Sequence, residues 1–496
     1  MNGRVGLLLL FLGLVGVFSA PATKKVQRKR AIHGRPWFGL TPKPTVKGPL
    51  NPGVSGDQYI ASKVDHFDSS NTNTYQQRYW YNDQWYSAGG PVFLMIGGES
   101  AEDNSWVADG DLVWTKLAAE NNAMVFLIEH RYYGASQVTP DQSTANMKYL
   151  SSRQALADIA DFIPAMTSKF NLQGAKWVTF GGSYSGALAA WSRMLYPNLI
   201  YGAVGSSGPV QAVVDFVGYL EVVTNDLNIY DMACGNSLKN ALAQIPQLLT
   251  TSQGRQQLFK GFQLCQQLDP TNPDQIANFY SSIIGNYMII AQYGGDNAGP
   301  FGTQMTIPAL CKIQTTSGNT DLQNMYAVNQ WIMNFYQESC VDIDFTDYIN
   351  YMKQAGDDRC WVYQTCSEFG FYQSTDTPNA AFYGSVVPVD WYVKQCAMIY
   401  GSQFSNTTVY SSIASTNGFY HGQNGYNATR IVLPNGTNDP WHVLGVLNAP
   451  NSQAYPIIIN GTAHCADMYG DSSIDPASLT AARTQIRSIV NSWFKS

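Results

Sequence analysis

The stretch Trp177-Val178-Thr179-Phe180-Gly181-Gly182-Ser183-Tyr184-Ser185-Gly186 constrains the fold of this chain more than any other. A short apolar strand runs into a serine set among small residues, and a helical pattern follows at once. A turn this tight leaves no room for bulky neighbours, and in return it lifts the serine hydroxyl clear of the sheet, where a base can reach it. The helix beyond supplies backbone N–H groups and a positive dipole end for a developing oxyanion. The usual spacing for such an elbow is G-x-S-x-G; here the last position is Ser185, so the match rests on a small residue.

The surroundings repeat the same rhythm. Apolar strands are expected at Val92 to Ile96, Ala123 to Glu129, Trp177 to Phe180 and Gly202 to Gly205. Between them lie helical patterns, one with Ala155, Ile159, Phe162 and Ile163 on a single face and a kink or end at Pro164, another from Gly186 to Tyr196. Alternation of this kind predicts a parallel sheet. From about 211 to 400 the chain reads as helices and polar loops holding seven of the eight cysteines. Strand-like runs return at Ile431 to Leu433 and Tyr455 to Ile459, and a last amphipathic helix spans about Pro476 to Phe494. The simplest fold is an α/β-hydrolase sheet (first half 56–210, second half 401–496) interrupted by a disulfide-stapled helical cap at 211–400.

A serine hydroxyl needs a base near neutrality, and the chain has only 6 histidines. In this fold the acid and then the histidine follow the serine in sequence, on loops after later strands. That order removes His33, His66 and His130. His464, in Gly461-Thr462-Ala463-His464-Cys465-Ala466-Asp467, follows one late strand, and Asp439, in Asn438-Asp439-Pro440-Trp441, follows the other. His442 reads as a packing or pocket residue, His421 as the weaker rival, and Asp467 as either a local partner of His464 or a turn cap. The expected chemistry is proton transfer from Ser183 to His464, with Asp439 fixing the imidazole tautomer. The oxyanion would be held by the backbone N–H of Tyr184 and one from the Gly97-Gly98-Glu99 loop, Gly98 being the donor chosen. Glu99 is read as a substrate contact or a structural hydrogen-bonding group, with equal weight.

The N-terminus carries an address. Arg4 precedes an apolar run, Val5 to Val17, that ends in small residues at Ser19 to Ala22. Residues 1–22 therefore read as a signal peptide, with an uncleaved anchor as the alternative. Residues 23–55 open with a basic cluster (Lys24, Lys25, Arg28, Lys29, Arg30) and continue rich in Pro and Gly, as a propeptide or linker. No later stretch approaches spanning length. An even count of 8 cysteines suits disulfides in an oxidising compartment, and the sequons at Asn406, Asn427, Asn435 and Asn460 suit the same route. Asn435-Gly436 and Asn460-Gly461 are also turn dipeptides, and are read as turns first. The destination is secretion or the lysosomal and endosomal system. A net charge of −6 with no basic stripe argues against nucleic acid, and nothing in the spacing calls for a metal or a cofactor.

Five ordered segments together resemble one known family. They are Gly-Gly-Ser-Tyr-Ser-Gly with Ala187-Leu188-Ala189-Ala190-Trp191, Ser206-Ser207-Gly208-Pro209-Val210, Glu129-His130-Arg131-Tyr132-Tyr133-Gly134, Asn438-Asp439-Pro440-Trp441 and Ala463-His464-Cys465-Ala466-Asp467. The family is that of prolyl carboxypeptidase, lysosomal dipeptidyl peptidase II and thymus-specific serine protease, and the elbow is nearest the thymus-specific member. The resemblance implies an α/β-hydrolase with a cap between nucleophile and acid, cutting peptides beside proline. It matches the elbow serine to Ser183, the acid to Asp439 and the histidine to His464. Some members carry two adjacent histidines where this chain has His464-Cys465. Ser185 stands where members have Gly or Ala, which bears on fine specificity and not on the triad.

With the cap placed by that resemblance, the expected disulfides are Cys234–Cys311, Cys265–Cys340 and Cys366–Cys396, leaving Cys360 and Cys465 for each other. Trp441, Trp361 and Phe371 are expected to wall the pocket for the residue before the cut bond, because an aromatic pocket suits a proline ring; for Trp361 and Phe371 a role as plain cap core has equal standing. The substrates would be peptides, and a homodimer is left open. The rival readings are an esterase or lipase of the same fold, a serine carboxypeptidase proper (disfavoured by Gly182, where those enzymes carry Glu), and a catalytically silent hydrolase fold used for binding.

Overall fold

The apolar runs form the centre of one mixed sheet in the computed structural model, which describes residues 31–36, 39–295, 302, 304–377 and 384–495. The expected signal peptide, and part of the segment after it, lie outside the described residues. In chain order the strands are β1 Gln58–Lys63, β2 Thr74–Asn82, β3 Val92–Ile96, β4 Met124–Ile128, β5 Trp177–Gly182, β6 Ile200–Ser206, β7 Ile431–Gly436 and β8 Ala454–Ile459. Their spatial order is β8-β7-β6-β5-β3-β4-β2-β1, parallel from β8 through to β4, with β2 and β1 added antiparallel. Every residue of β3, β4 and β5 is buried, as continuous apolar strands covered on both faces require.

One face is covered by α1 (Ser152–Lys169) and α2 (Tyr184–Leu195), the other by α4 (Ala477–Ser492) at the C-terminus. Helix α1 continues through Pro164 without ending there; its buried residues Ala155, Ile159, Phe162 and Ile163 hold the helix on the sheet despite the lost amide. Strands β1, at the sheet edge, and β2, between it and β4, went unread because both are of mixed polarity. β2 hides its signal in alternate burial of Tyr75, Gln77 and Tyr79.

Between β6 and β7 the described residues are mostly helical, with a two-stranded parallel ribbon pairing Val213–Asp215 with Gly370–Tyr372. Helix α3 (Pro273–Tyr293) is the longest of the described helices there. Three disulfides hold this layer, Cys234–Cys311, Cys265–Cys340 and Cys366–Cys396, as expected. The fourth expected pair is absent: Cys360 and Cys465 are both free and buried. Each thiol packs elsewhere, Cys360 Sγ 3.8 Å from the Tyr132 carbonyl and Cys465 Sγ 3.9 Å from the Ser206 carbonyl.

Asn406, Asn427 and Asn460 are exposed, but Asn435 is only 2% exposed and lies inside β7, so its sequon cannot take a glycan in the folded chain. Asn435-Gly436 is thus a strand end and not a turn, whereas Gly461 does turn, at φ +77. No described helix is long and apolar enough to cross a membrane.

Candidate active site

Strands β5 to β8 run parallel, so their C-terminal ends share one edge. Ser183 follows β5, Asp439 follows β7 and His464 follows β8.

The elbow is as tight as its composition implies. Ser183 has φ 59 and ψ −127, a strained conformation for a non-glycine residue. A Cβ at Gly181 would stand 2.1 Å from the Ser185 carbonyl oxygen, and one at Gly186 would stand 2.5 Å from that of Ser206. Both glycines are therefore obligatory. The extra hydroxyl of Ser185 has a structural use: it donates to Gly182 O at 2.9 Å and accepts from Gly182 N at 3.0 Å. The Ser183 N–H donates to Ser206 O at 2.9 Å, tying the elbow to β6. The Gly98 loop packs on the same turn, a Cβ at Gly98 falling 3.6 Å from Ser185 Cβ.

Asp439 Oδ1 lies 2.8 Å from His464 Nδ1, and both side chains are 0% exposed. The approach is close but bent away from a linear N–H···O line, so both ring nitrogens lack a well-aligned hydrogen bond. Asp439 Oδ1 also accepts from Trp441 N at 2.9 Å, which fixes the carboxylate at the start of its 3₁₀ turn. Burial disfavours a charged imidazole, but the Asp439 carboxylate outweighs it and raises His464 above its ordinary value. Cys465 adds to that lift only as a thiolate, and burial pushes its thiol up, so near neutrality Asp439 acts alone. The His464–Cys465 loop sits on the elbow: Cys465 N donates to Ser207 Oγ at 3.0 Å, and a Cβ at Gly182 would stand 3.0 Å from Cys465 Sγ. Ser183 Oγ and His464 Nε2 are buried and have no protein hydrogen-bond partner among the described residues.

The other histidines separate cleanly. His442 Nδ1 faces the Asp439 carbonyl at 2.6 Å on the same turn, and His421 is exposed. His130 is buried against the elbow, Nε2 3.0 Å from Tyr184 Oη, and burial lowers it to about 4, so it stays neutral. Asp467 neither pairs with His464 nor serves only as a cap; it accepts from the Ser206 hydroxyl at 2.6 Å.

The aromatic residues form one connected wall. Trp441 lies 6.2 Å from the His464 ring and meets Phe371 edge-on at 5.1 Å; Phe371 stacks with Trp361 at 6.4 Å, and Trp361 meets Tyr184 at 6.1 Å. Glu99 is 2% exposed, and its Oε1 accepts from Leu40 N at 2.5 Å, a contact with the N-terminal segment. Sequence reasoning missed that segment and also Gln292, on α3, whose carbonyl accepts from His464 N at 2.9 Å. Neither offers a composition signal: one is a Pro- and Gly-rich stretch, the other a lone amide in a helix. Among the described residues, no group of three or more His, Cys, Asp and Glu side chains is placed to hold a metal.

The sequence matches the family described as serine carboxypeptidase S28 over residues 62–486. The chain belongs to that family. Its members among the relatives include a Caenorhabditis elegans protein named "Putative serine protease K12H4.7", 46% identical across 99% of both chains. Human thymus-specific serine protease is 30% identical over 88% of this chain and 86% of its own, and human lysosomal Pro-X carboxypeptidase is 29% identical over 99% and 98%. Among solved structures, the Saccharomyces cerevisiae peroxisomal alpha-beta-hydrolase Lpx1 aligns over 89% of each chain at 10% identity, with a TM-score of 0.34. As a member of the S28 family the chain is a serine peptidase with an α/β-hydrolase fold, and its substrates are peptides.

Proposed function

We propose that the chain is an exopeptidase that cuts beside proline, with Ser183 as nucleophile, His464 as base and Asp439 as orienting acid. One observation carries the triad: Asp439 Oδ1 stands 2.8 Å from Nδ1 of His464, while Nε2 of the same ring and the Ser183 hydroxyl are both buried without a partner among the described residues. Unsatisfied buried groups cost about 1–3 kcal/mol each, and a serine hydrolase is the kind of site that keeps them. In this reading Ser183 Oγ attacks the scissile carbonyl carbon as Nε2 takes its proton. The tetrahedral oxyanion is held by N–H groups of Tyr184 and Gly98, and the imidazolium then protonates the leaving amine. Water, activated by the same imidazole, releases the acyl group from Ser183.

The proline preference rests on the wall of Trp441, Phe371 and Trp361 beside His464, and on what the names of the relatives say of those proteins. Residues 1–22 are read as a signal peptide, residues 211–400 as the cap, and the destination as secretion or a lysosome. A panel of Xaa-Pro reporter peptides and blocked Pro-Xaa peptides tests the whole. Hydrolysis of one series, abolished in Ser183→Ala, is expected. If the protein cleaved short acyl esters and no peptide of either series, the esterase reading would replace this one.

A further inference from the structure

Ser183, Asp439 and His464 are all 0% exposed, a surprising state for a site that must admit a peptide. Part of what covers them is the chain's own N-terminal segment. Residues 31–36 make a short hairpin and 39–46 an irregular run, and both touch residues that surround the site. Thr41 Oγ1 donates to Gly182 O, next to the nucleophile, at 3.3 Å. Gln292, which holds the His464 amide, donates from Nε2 to Gly34 O at 3.2 Å, and Tyr293, edge-on to the His464 ring, donates to Leu40 O at 2.9 Å. Trp361 Nε1 donates to His33 O at 3.3 Å. Gly34 fits because it has no side chain: a Cβ there would stand 2.6 Å from the Trp441 ring, at φ +74.

The segment is anchored as a ligand is anchored. Arg35 is 1% exposed, pairs with Asp358 Oδ1 at 2.5 Å and donates to the Glu99 carbonyl at 2.7 Å. The segment thus lies against the Trp441 ring through Gly34 and is hydrogen-bonded to Glu99, beside Gly98, through Arg35 and Leu40. Beyond it the character changes abruptly, for Thr45 and Lys47 to Pro52 are exposed, the condition for proteolytic access.

We propose that the N-terminal segment, residues 31–36 and 39–46, is an autoinhibitory strap that occupies the cleft in place of substrate, and that a cut in the exposed 47–52 stretch releases it. This rests on the site assignment above. Covalent tethering makes the strap a high-concentration internal competitor, and the cut converts it into a dissociable peptide.

The test uses the full chain with a sequence-specific endoprotease site placed in the 47–52 stretch. Cutting and removing the strap should raise both peptide hydrolysis and fluorophosphonate labelling at least tenfold. A synthetic peptide of residues 31–46 should suppress both again, and its Arg35→Ala version should need at least tenfold more. In the uncut chain, Gly34→Val should raise activity by crowding the strap off Trp441, a gain that misfolding cannot mimic. Equal rates for cut and uncut protein would overturn the strap while leaving the nucleophile standing. If no form were labelled, the serine assignment would fail. Fluorescence anisotropy of the labelled peptide on cut protein then still decides the strap: Arg35-dependent binding supports it and no binding refutes it.

Discussion

Ser183 holds a backbone conformation that an L-residue adopts at a cost, and His464 holds a ring that burial alone would keep neutral. Both make sense only together with Asp439. Ser183→Ala should lower kcat by about 10³-fold or more with KM little changed. Asp439→Asn should cost roughly 10⁴-fold by freeing the wrong tautomer. Because Asp439 raises the base, the acid limb of kcat/KM against pH should lie above the ordinary imidazole value and move down in Asp439→Asn; a stopped-time assay across pH 4 to about 10 reads the shift. The post-strand positions of these three proposed residues were legible in the sequence because chain order and the late apolar runs left few candidates. The roles of Cys465, Asp467 and Glu99 were not. Each is decided by a contact with a residue remote in sequence: Ser206 for the first two and Leu40 for the third.

At the level of elements, the elbow was read correctly because its small residues answer a steric demand that any such turn makes. Gly181→Ala should therefore remove activity and cost about 1–3 kcal/mol or more in urea denaturation, since the carbonyl it meets belongs to backbone that cannot step aside. The Glu129-His130-Arg131 segment illustrates the converse. Its chemistry-bearing side chains serve the scaffold, Arg131 pairing with buried Asp158 at 2.7 Å and Glu129 with Arg78 at 2.6 Å. In the cap, replacing Cys366 and Cys396 by serine should cost about 2–4 kcal/mol, read as a lowered denaturation midpoint, because that bridge ties the turn before Gly370 to the helix Val389–Tyr400. Strands β1 and β2 escaped sequence reasoning, and the N-terminal segment was read only as a propeptide or linker, for a shared reason: each is shaped by what it lies against and has no apolar period of its own.

For the molecule as a whole, the buried acids set a pH preference. Burial raises Glu102 and Asp226 to about 8, Glu368 to about 7 and Asp467 to about 6, with Asp439 adding to the effect on Asp226. A carboxyl raised in the folded state binds protons that the unfolded chain has released. Its stabilisation is complete below the unfolded value of about 4 and is lost as pH rises through the folded value. Thermal midpoints should accordingly fall between about pH 5 and 8, and Asp226→Asn with Glu102→Gln should flatten the decline. His130, lowered to about 4, opposes this by losing stability as pH falls below its ordinary range. The central claim, that one serine at the elbow does the chemistry, is tested most directly by mapping a fluorophosphonate adduct in the strap-cut protein by mass spectrometry. The account predicts a single adduct, on Ser183, that disappears in His464→Ala; an adduct on any other residue, with Ser183 unmodified, would contradict it.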